Sequence, residues 1–567
     1  MATLLLLTTA AAPPPTFSTL FTSQDVQTYL ANATSTAVAV GWAQRMGLSK
    51  IYLETYRAGG GGGTGPHPSP PPAMLRAAAA AFEAAGIRVA GCVCTTGIGV
   101  PSTDYPTVSN YAMAETQQAL AEIFAAAARI FDELIIDDFF FTTDASAASN
   151  ASLASRTVTL YPTNYTNGTA VVPFSVGSDA SCTGADGCAW SWQRRAMMHG
   201  VAQRDVLAAA TAANPNVRVT LKFPNWYDHY QDHGYDVGAT AELFPATWVG
   251  TETRDYDASS WGPGCSWSGD MPVTLGAFNL RWHASVRSGG ATALGSWYDS
   301  LCTGPASYVE QARQAVVAGS PEQFLFHYGD LVQGSGAADA AALRHAMPDL
   351  VAAHTALAGL APVGVVAYKP INSHGGCKAG GAAPRDKPCD GEAHVFDFVA
   401  ALGVPILPTA AWPPSGGDGA LPAAAFFSVH SLKDPATPQH LREAEAAGVE
   451  LLLTDGLLAL LPPPLAAALR RSPTVHVLDV GGAPKQLLAA PPPGLRATRD
   501  ALLRRLGLAL EAPESWVAFY PYVGGAWALM NLGDAASAAF AVRELGGARR
   551  EWNGTIEGRG WARGFSN

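Results

Sequence analysis

Short apolar runs alternate with alanine-rich helical stretches through the first part of the chain, and this alternation limits the fold more than any other feature. The strand-like runs are Lys50–Arg57, Ile87–Cys94, Glu133–Phe141, Val217–Phe223, Thr247–Glu252, Ala291–Tyr298 and Gln323–Tyr328. Between them lie helical stretches such as Ala73–Ala85, Ala112–Phe131, Trp190–Asn214, Val273–Ser288 and Tyr308–Ala318. Strands separated by helices of this length build parallel βαβ units. Seven such runs in one region point to an α/β chain whose main body is a (β/α)8 barrel of TIM type with one strand not yet recognised, in preference to a doubly wound open sheet.

The barrel is expected over 16–358, with a polar insertion at 144–188. A second βαβ series, from Val363–Tyr368 to Val475–Leu478, gives a smaller α/β domain of flavodoxin type over 359–490. The prolines at 491–493 mark a linker. Beyond them Trp516–Tyr520, Trp527–Asn531 and Ala539–Glu544, separated by Gly-containing turns, read as a small antiparallel β module over 491–567.

A net charge of −11 argues against a nucleic-acid partner, which needs a basic surface to neutralise phosphates. No bulky apolar run reaches the length of a membrane span. Leu4–Leu7 followed by small residues reads as a short signal peptide over 1–15, although a basic start is lacking. Five Asn-X-Ser/Thr sequons, at Asn32, Asn150, Asn164, Asn167 and Asn553, support a secreted or secretory-pathway protein. So do the eight cysteines. Cys182, Cys188, Cys265, Cys302, Cys377 and Cys389 lie in loop-like sequence and can form loop-closing disulfides whose pairing is left open, whereas Cys92 and Cys94 sit in an apolar strand and read as buried thiols. Zinc is the weaker alternative, because no ligand spacing matches. No metal or organic cofactor is indicated, and homo-oligomerisation is left open.

In a barrel, reacting groups come from the carboxyl ends of the strands. Here those ends carry Glu54, Tyr56 and Arg57; Asp137 and Asp138; Lys222, Asn225 and Trp226; Glu252, Arg254 and Asp255; Trp297, Tyr298 and Asp299; and His327. Glycosidic cleavage needs two carboxyl groups, one to protonate the leaving oxygen and one to attack or activate water. Asp138 and Glu252 form the preferred pair, with Asp137 and Glu54 as further acids. Because side chains alternate along a strand, Asp137 and Asp138 face opposite ways. Lys222 and Arg254 can hold a carboxylate ionised or bind hydroxyls. Arg57, Asn225, Asp255, Asp299 and His327 complete the candidate carbohydrate-binding set, with Tyr56, Trp226, Trp297 and Tyr298 as flat surfaces for sugar rings. Ordinary barrel packing competes for these aromatics. A non-catalytic carbohydrate-binding barrel is the alternative function.

The stretches DELIIDDFFFTT, LKFPNWYDHYQDHGYD and VGTETRD resemble an uncharacterised group of barrel proteins related to glycoside hydrolases. The segments from VGVVAYKPINS to VFDFVAALGVPILP resemble the glutamine-amidotransferase-like domain that follows the barrel in β-galactosidase-type enzymes, without a strand–Cys–helix elbow. The resemblance implies a three-part glycosidase. By analogy with α-galactosidase-like barrels it implies a nucleophilic Asp after strand four and an acid/base Glu after strand six. It also implies closely spaced cysteines after the double Asp, a place Cys182 and Cys188 can fill.

Overall fold

The computed structural model describes residues 13–58, 68–103, 107–137, 139–176, 189–225, 227–228, 230–253, 274–286, 294–371, 392–414, 419–481, 484–533, 537–545 and 550–564. Eight parallel strands close into a barrel: β1 (Thr16–Phe21), β2 (Lys50–Tyr56), β3 (Arg88–Val93), β4 (Glu133–Ile136), β5 (Arg218–Phe223), β6 (Ala246–Gly250), β7 (Gly295–Asp299) and β8 (Glu322–Phe326). The strand absent from the sequence reading is β1. Thr16–Thr19 pair with Glu322–Leu325, and Ser18–Phe21 pair with Lys50–Leu53, so this short strand closes the ring. Its serine and threonines interrupt the apolar run, and the preceding prolines made the segment look like the end of a leader.

Two strands are shorter than their apolar runs. Of Glu133–Phe141 only Glu133–Ile136 is strand, and the run Thr247–Glu252 is strand to Gly250. Both changes put carboxylates just past the sheet. The polar insertion is partly ordered, as helix Ala147–Ser155 and the antiparallel pair Thr157–Leu160 and Ala170–Pro173. All five sequon asparagines are exposed.

The second sheet is parallel, with β9 (Val365–Tyr368), β10 (Ile406–Thr409), β11 (Ala424–Phe427), β12 (Glu450–Thr454) and β13 (Val475–Leu478) in the order β10-β9-β11-β12-β13. The C-terminal strands are β14 (Leu508–Glu511), β15 (Val517–Pro521), β16 (Trp527–Asn531), β17 (Ala538–Glu544), β18 (Glu551–Ile556) and β19 (Trp561–Gly564). They form two antiparallel sheets, β14-β17-β18 and β15-β16-β19. This module docks on the barrel helix Pro305–Val317, where Tyr520 Oη donates to Gln314 Oε1 (2.6 Å) and Arg559 pairs with Glu310 (2.7 Å).

Cys92 and Cys94 are buried free thiols. Cys302 is disulfide-bonded, to a partner outside the described residues. Cys182, Cys188, Cys265, Cys377 and Cys389 also lie outside them. Among the described residues no helix is long and apolar enough to cross a membrane.

Candidate active site

Alternation along the strands decides which side chains enter the barrel. Leu20, Tyr52, Ala90, Cys92, Ile135, Trp248, Trp297, Phe324 and Phe326 pack together inside it. Stepping two residues towards each carboxyl end brings Tyr52 to Glu54, Ile135 to Asp137 and Trp297 to Asp299, all on the inner side. The same parity places Lys222 two residues after Thr220, and Glu252 four after Trp248. A β-bulge between Glu54 and Tyr56 then resets the alternation. As a result Arg57 turns inward, while Tyr56 joins the packing outside the barrel and donates to Gly97 O (3.0 Å).

These residues form one buried ionic chain. Arg57 holds Glu54 through Nε to Oε2 (2.9 Å) and Nη2 to Oε1 (2.9 Å), and reaches Asp137 Oδ2 through Nη2 (2.5 Å). Lys222 Nζ lies 3.9 Å from Asp137 Oδ1 and makes a close ion pair with Glu252 Oε1. The ammonium rests on the face of Trp297, 4.0 Å from the ring centroid. Asp137 is 2% exposed, Lys222 1% and Glu252 4%. Lys222 therefore draws the two carboxylates to one point at the carboxyl end of the barrel, the placement that a carboxyl pair acting on one glycosidic bond requires.

Glu54 lies deeper. Ser23 N donates to its Oε2 (2.7 Å), and burial pushes its carboxyl up despite Arg57. Glu54, Asp137 and the Cys94 thiol have ligand atoms within 4.8 Å of one another, which raises the question of a metal ion. The Arg57 guanidinium already supplies the cation to both carboxylates, and burial pushes the Cys94 thiol up, keeping it neutral. The donor set therefore suits an ion-paired cluster and fits a metal poorly.

The remaining candidates separate. Asn225 Nδ2 donates to the backbone oxygen of Glu252 (2.6 Å) and so helps to position that strand end. Trp297 stacks on Phe324 with centroids 3.9 Å apart and forms the floor under Lys222. Tyr298 points outward from the barrel, fully buried, to Gln323 Oε1 (3.2 Å). Tyr56, Trp297 and Tyr298 are thus packing aromatics, not open sugar platforms, because strand parity and the bulge bury all three. Asp299 is buried at the end of β7. Both ring nitrogens of His327 are engaged, Nδ1 with Asp25 Oδ2 (2.6 Å) and Nε2 with Asp330 Oδ2 (3.3 Å). Burial works against its charge, but the bonds to Asp25 and Asp330 prevail and its pKa is pushed up to about 9. Asp138, Trp226, Arg254 and Asp255 lie outside the described residues. Sequence reasoning missed Asp25, whose signal is the capping box it forms with Thr22 just past β1.

The family model described as "probable glycosyl hydrolase, catalytic domain" matches residues 10–344, more than half of the chain. The chain belongs to this family. The matched segment spans the whole barrel of this glycosyl hydrolase domain and its ionic chain. A β-galactosidase from the psychrophilic Marinomonas ef1 has a similar fold, with a TM-score of 0.57 and 9% identity, covering 97% of this chain and 99% of that one. The α-L-fucosidase isoenzyme 2 of Paenibacillus thiaminolyticus is similar at a TM-score of 0.55 and 10% identity, covering 93% and 92%. An uncharacterised protein of Saccharolobus solfataricus is 25% identical over 222 residues, 38% of this chain. The matched part spans about a third of the length of that relative, 34%.

Proposed function

We propose that the chain hydrolyses an O-glycosidic bond with Asp137 and Glu252 as its two carboxyl groups. The observation that carries this reading is their convergence on Lys222 at the carboxyl end of a closed barrel, the end where such folds place their chemistry. Asp137 stands between two cations, Arg57 and Lys222, which favours its anionic form and suits the group that attacks the anomeric carbon or activates water. Glu252 stands on the other side of Lys222, on a different strand end, and is assigned as the partner that, once protonated, donates to the leaving oxygen. With β1 in the count, Asp137 follows strand four and Glu252 follows strand six. This is the arrangement implied by the resemblance to α-galactosidase-like barrels.

Substitution tests the pair. Wild type, Asp137→Asn, Asp138→Asn and Glu252→Gln are assayed against phenyl and nitrophenyl α- and β-glycosides, with folding followed by circular dichroism. Loss of product release in Asp137→Asn and Glu252→Gln but not in Asp138→Asn supports the reading. Loss in Asp138→Asn alone moves the role to its neighbour. Sugar binding without turnover in the wild type makes the barrel a carbohydrate-binding protein instead. Secretory passage is proposed on the exposed sequons. A glycosidase-sensitive mass shift after expression in a eukaryotic secretory host tests it.

A further inference from the structure

In open parallel sheets, ligands bind beyond the carboxyl ends of the strands, where the strand order reverses. In the second sheet that point lies between β9 and β11, flanked by Lys369 and Ser428. The place is filled by the barrel's own loop after β5. Asp228 enters it, fully buried, and its Oδ1 accepts from His430 Nε2 (2.8 Å) while its Oδ2 accepts from the backbone N–H of His394 (2.9 Å). The left-handed backbone of His394 (φ 56°) belongs to this turn. Next to it Tyr227 Oη donates to Asp397 Oδ2 (2.6 Å).

The charges agree with a clamp. Burial disfavours a charged Asp228, but His430, His394 and Lys369 outweigh that and hold its carboxyl well below the usual range. Burial pulls His430 down, against the opposing pull of Asp228. An ionised carboxylate can only accept, so His430 Nε2 carries the proton and Nδ1 accepts from Ser428 Oγ (3.0 Å).

The same loop holds the proposed acid. Asn225, three residues before Asp228, bonds the Glu252 backbone. The loop lies so close to β6 that a Cβ on Gly250 would meet the Asn225 nitrogen at 2.7 Å. Building on the reading of Glu252 given above, we propose that Asp228 is a positioning residue: the second domain clamps it and thereby fixes the loop that sets Glu252.

The test uses the full chain, with hydrogen–deuterium exchange and kinetics on phenyl and 2,4-dinitrophenyl glycosides of the sugar the panel selects. In Asp228→Asn, exchange of peptides covering 222–230 and 246–253 rises. The kcat on the phenyl glycoside falls on the order of 10- to 100-fold with KM nearly unchanged. First-turnover release from the dinitrophenyl glycoside, which needs no proton donor, is spared. Combining Asp228→Asn with Glu252→Gln adds no further loss, as expected of residues acting through one another. His430→Gln, which keeps a donor towards Asp228, retains activity that His430→Leu loses, and this pair covers the case of a poorly folding Asp228→Asn. Unchanged exchange overturns the proposal even before a substrate is known. So does an equal loss on both glycosides, or a loss that persists undiminished in the Glu252→Gln background. A fully active Glu252→Gln instead overturns the reading of the acid, a separate outcome.

Discussion

Each end of the barrel carries a lysine that rests on an aromatic ring and bridges two carboxylates. At the amino end Lys50 joins Glu133 (2.6 Å) and Glu322 (3.1 Å) above Tyr52; at the carboxyl end Lys222 joins Asp137 and Glu252 above Trp297. The chemistry is nearly the same and the solvent is not. The Glu133 and Glu322 side chains are 41% and 14% exposed, against 4% for Asp137 and 5% for Glu252. Wet carboxylates can be hydrated when a partner is lost, so such a bridge is worth little. Dry ones depend on their partners, which sharpens both their energetics and their usefulness for catalysis. A cavity of about 950 Å³ opens near the amino end, lined by Thr16, Gly319, His354, Val366 and Tyr522 among others, and no described carboxylate lines it. A lysine bridge alone therefore does not distinguish the two ends. What separates the two ends is the burial of the carboxylates around Lys222.

The contrast can be broken most severely by activity. Glu252→Gln is expected to lower turnover of a phenyl glycoside by about 10²–10⁴, the usual worth of a proton donor, whereas Glu133→Gln and Glu322→Gln leave it unchanged. A loss of similar size at the amino end would erase the distinction. Stability gives the next test. Arg57→Met leaves Glu54 and Asp137 buried without their shared cation, and chemical denaturation should show a loss of roughly 3–5 kcal/mol. Titration sharpens it further. His327 has a folded pKa of about 9, above that of the unfolded ring, so its contribution is complete below about pH 6.5 and fades as pH rises through 9. Thermal melts across that range should therefore decline in the wild type and flatten in His327→Gln. The smallest effect is expected at the wet bridge, where Glu133→Gln should cost about 0–1 kcal/mol and less in high salt.

The barrel was legible in the sequence because seven of its strands are apolar runs set between helices, and the strand ends were legible because ionisable residues follow those runs. What escaped was set by local geometry or by contacts far along the chain. The bulge after Glu54 exchanged the roles of Tyr56 and Arg57, and no periodicity announces a bulge. β1 was hidden by Ser18 and Thr19. Asp228 was visible only as one acid among many in a polar stretch, since its partners His394 and His430 lie 166 and 202 residues away. Trp297 and Tyr298 show the same limit. Their burial follows from barrel closure, which the amino-acid order implies only after every strand is placed.

The most direct test of the account is the leaving-group dependence of Glu252→Gln. A large loss is predicted on the phenyl glycoside and near-normal release of dinitrophenol in the first turnover of the 2,4-dinitrophenyl glycoside, because a good leaving group departs without the proton Glu252 supplies and any later activation of water by Glu252 does not enter that step. An equal loss of first-turnover release on both substrates, or full activity on both, would contradict the assignment of Glu252 as the proton donor.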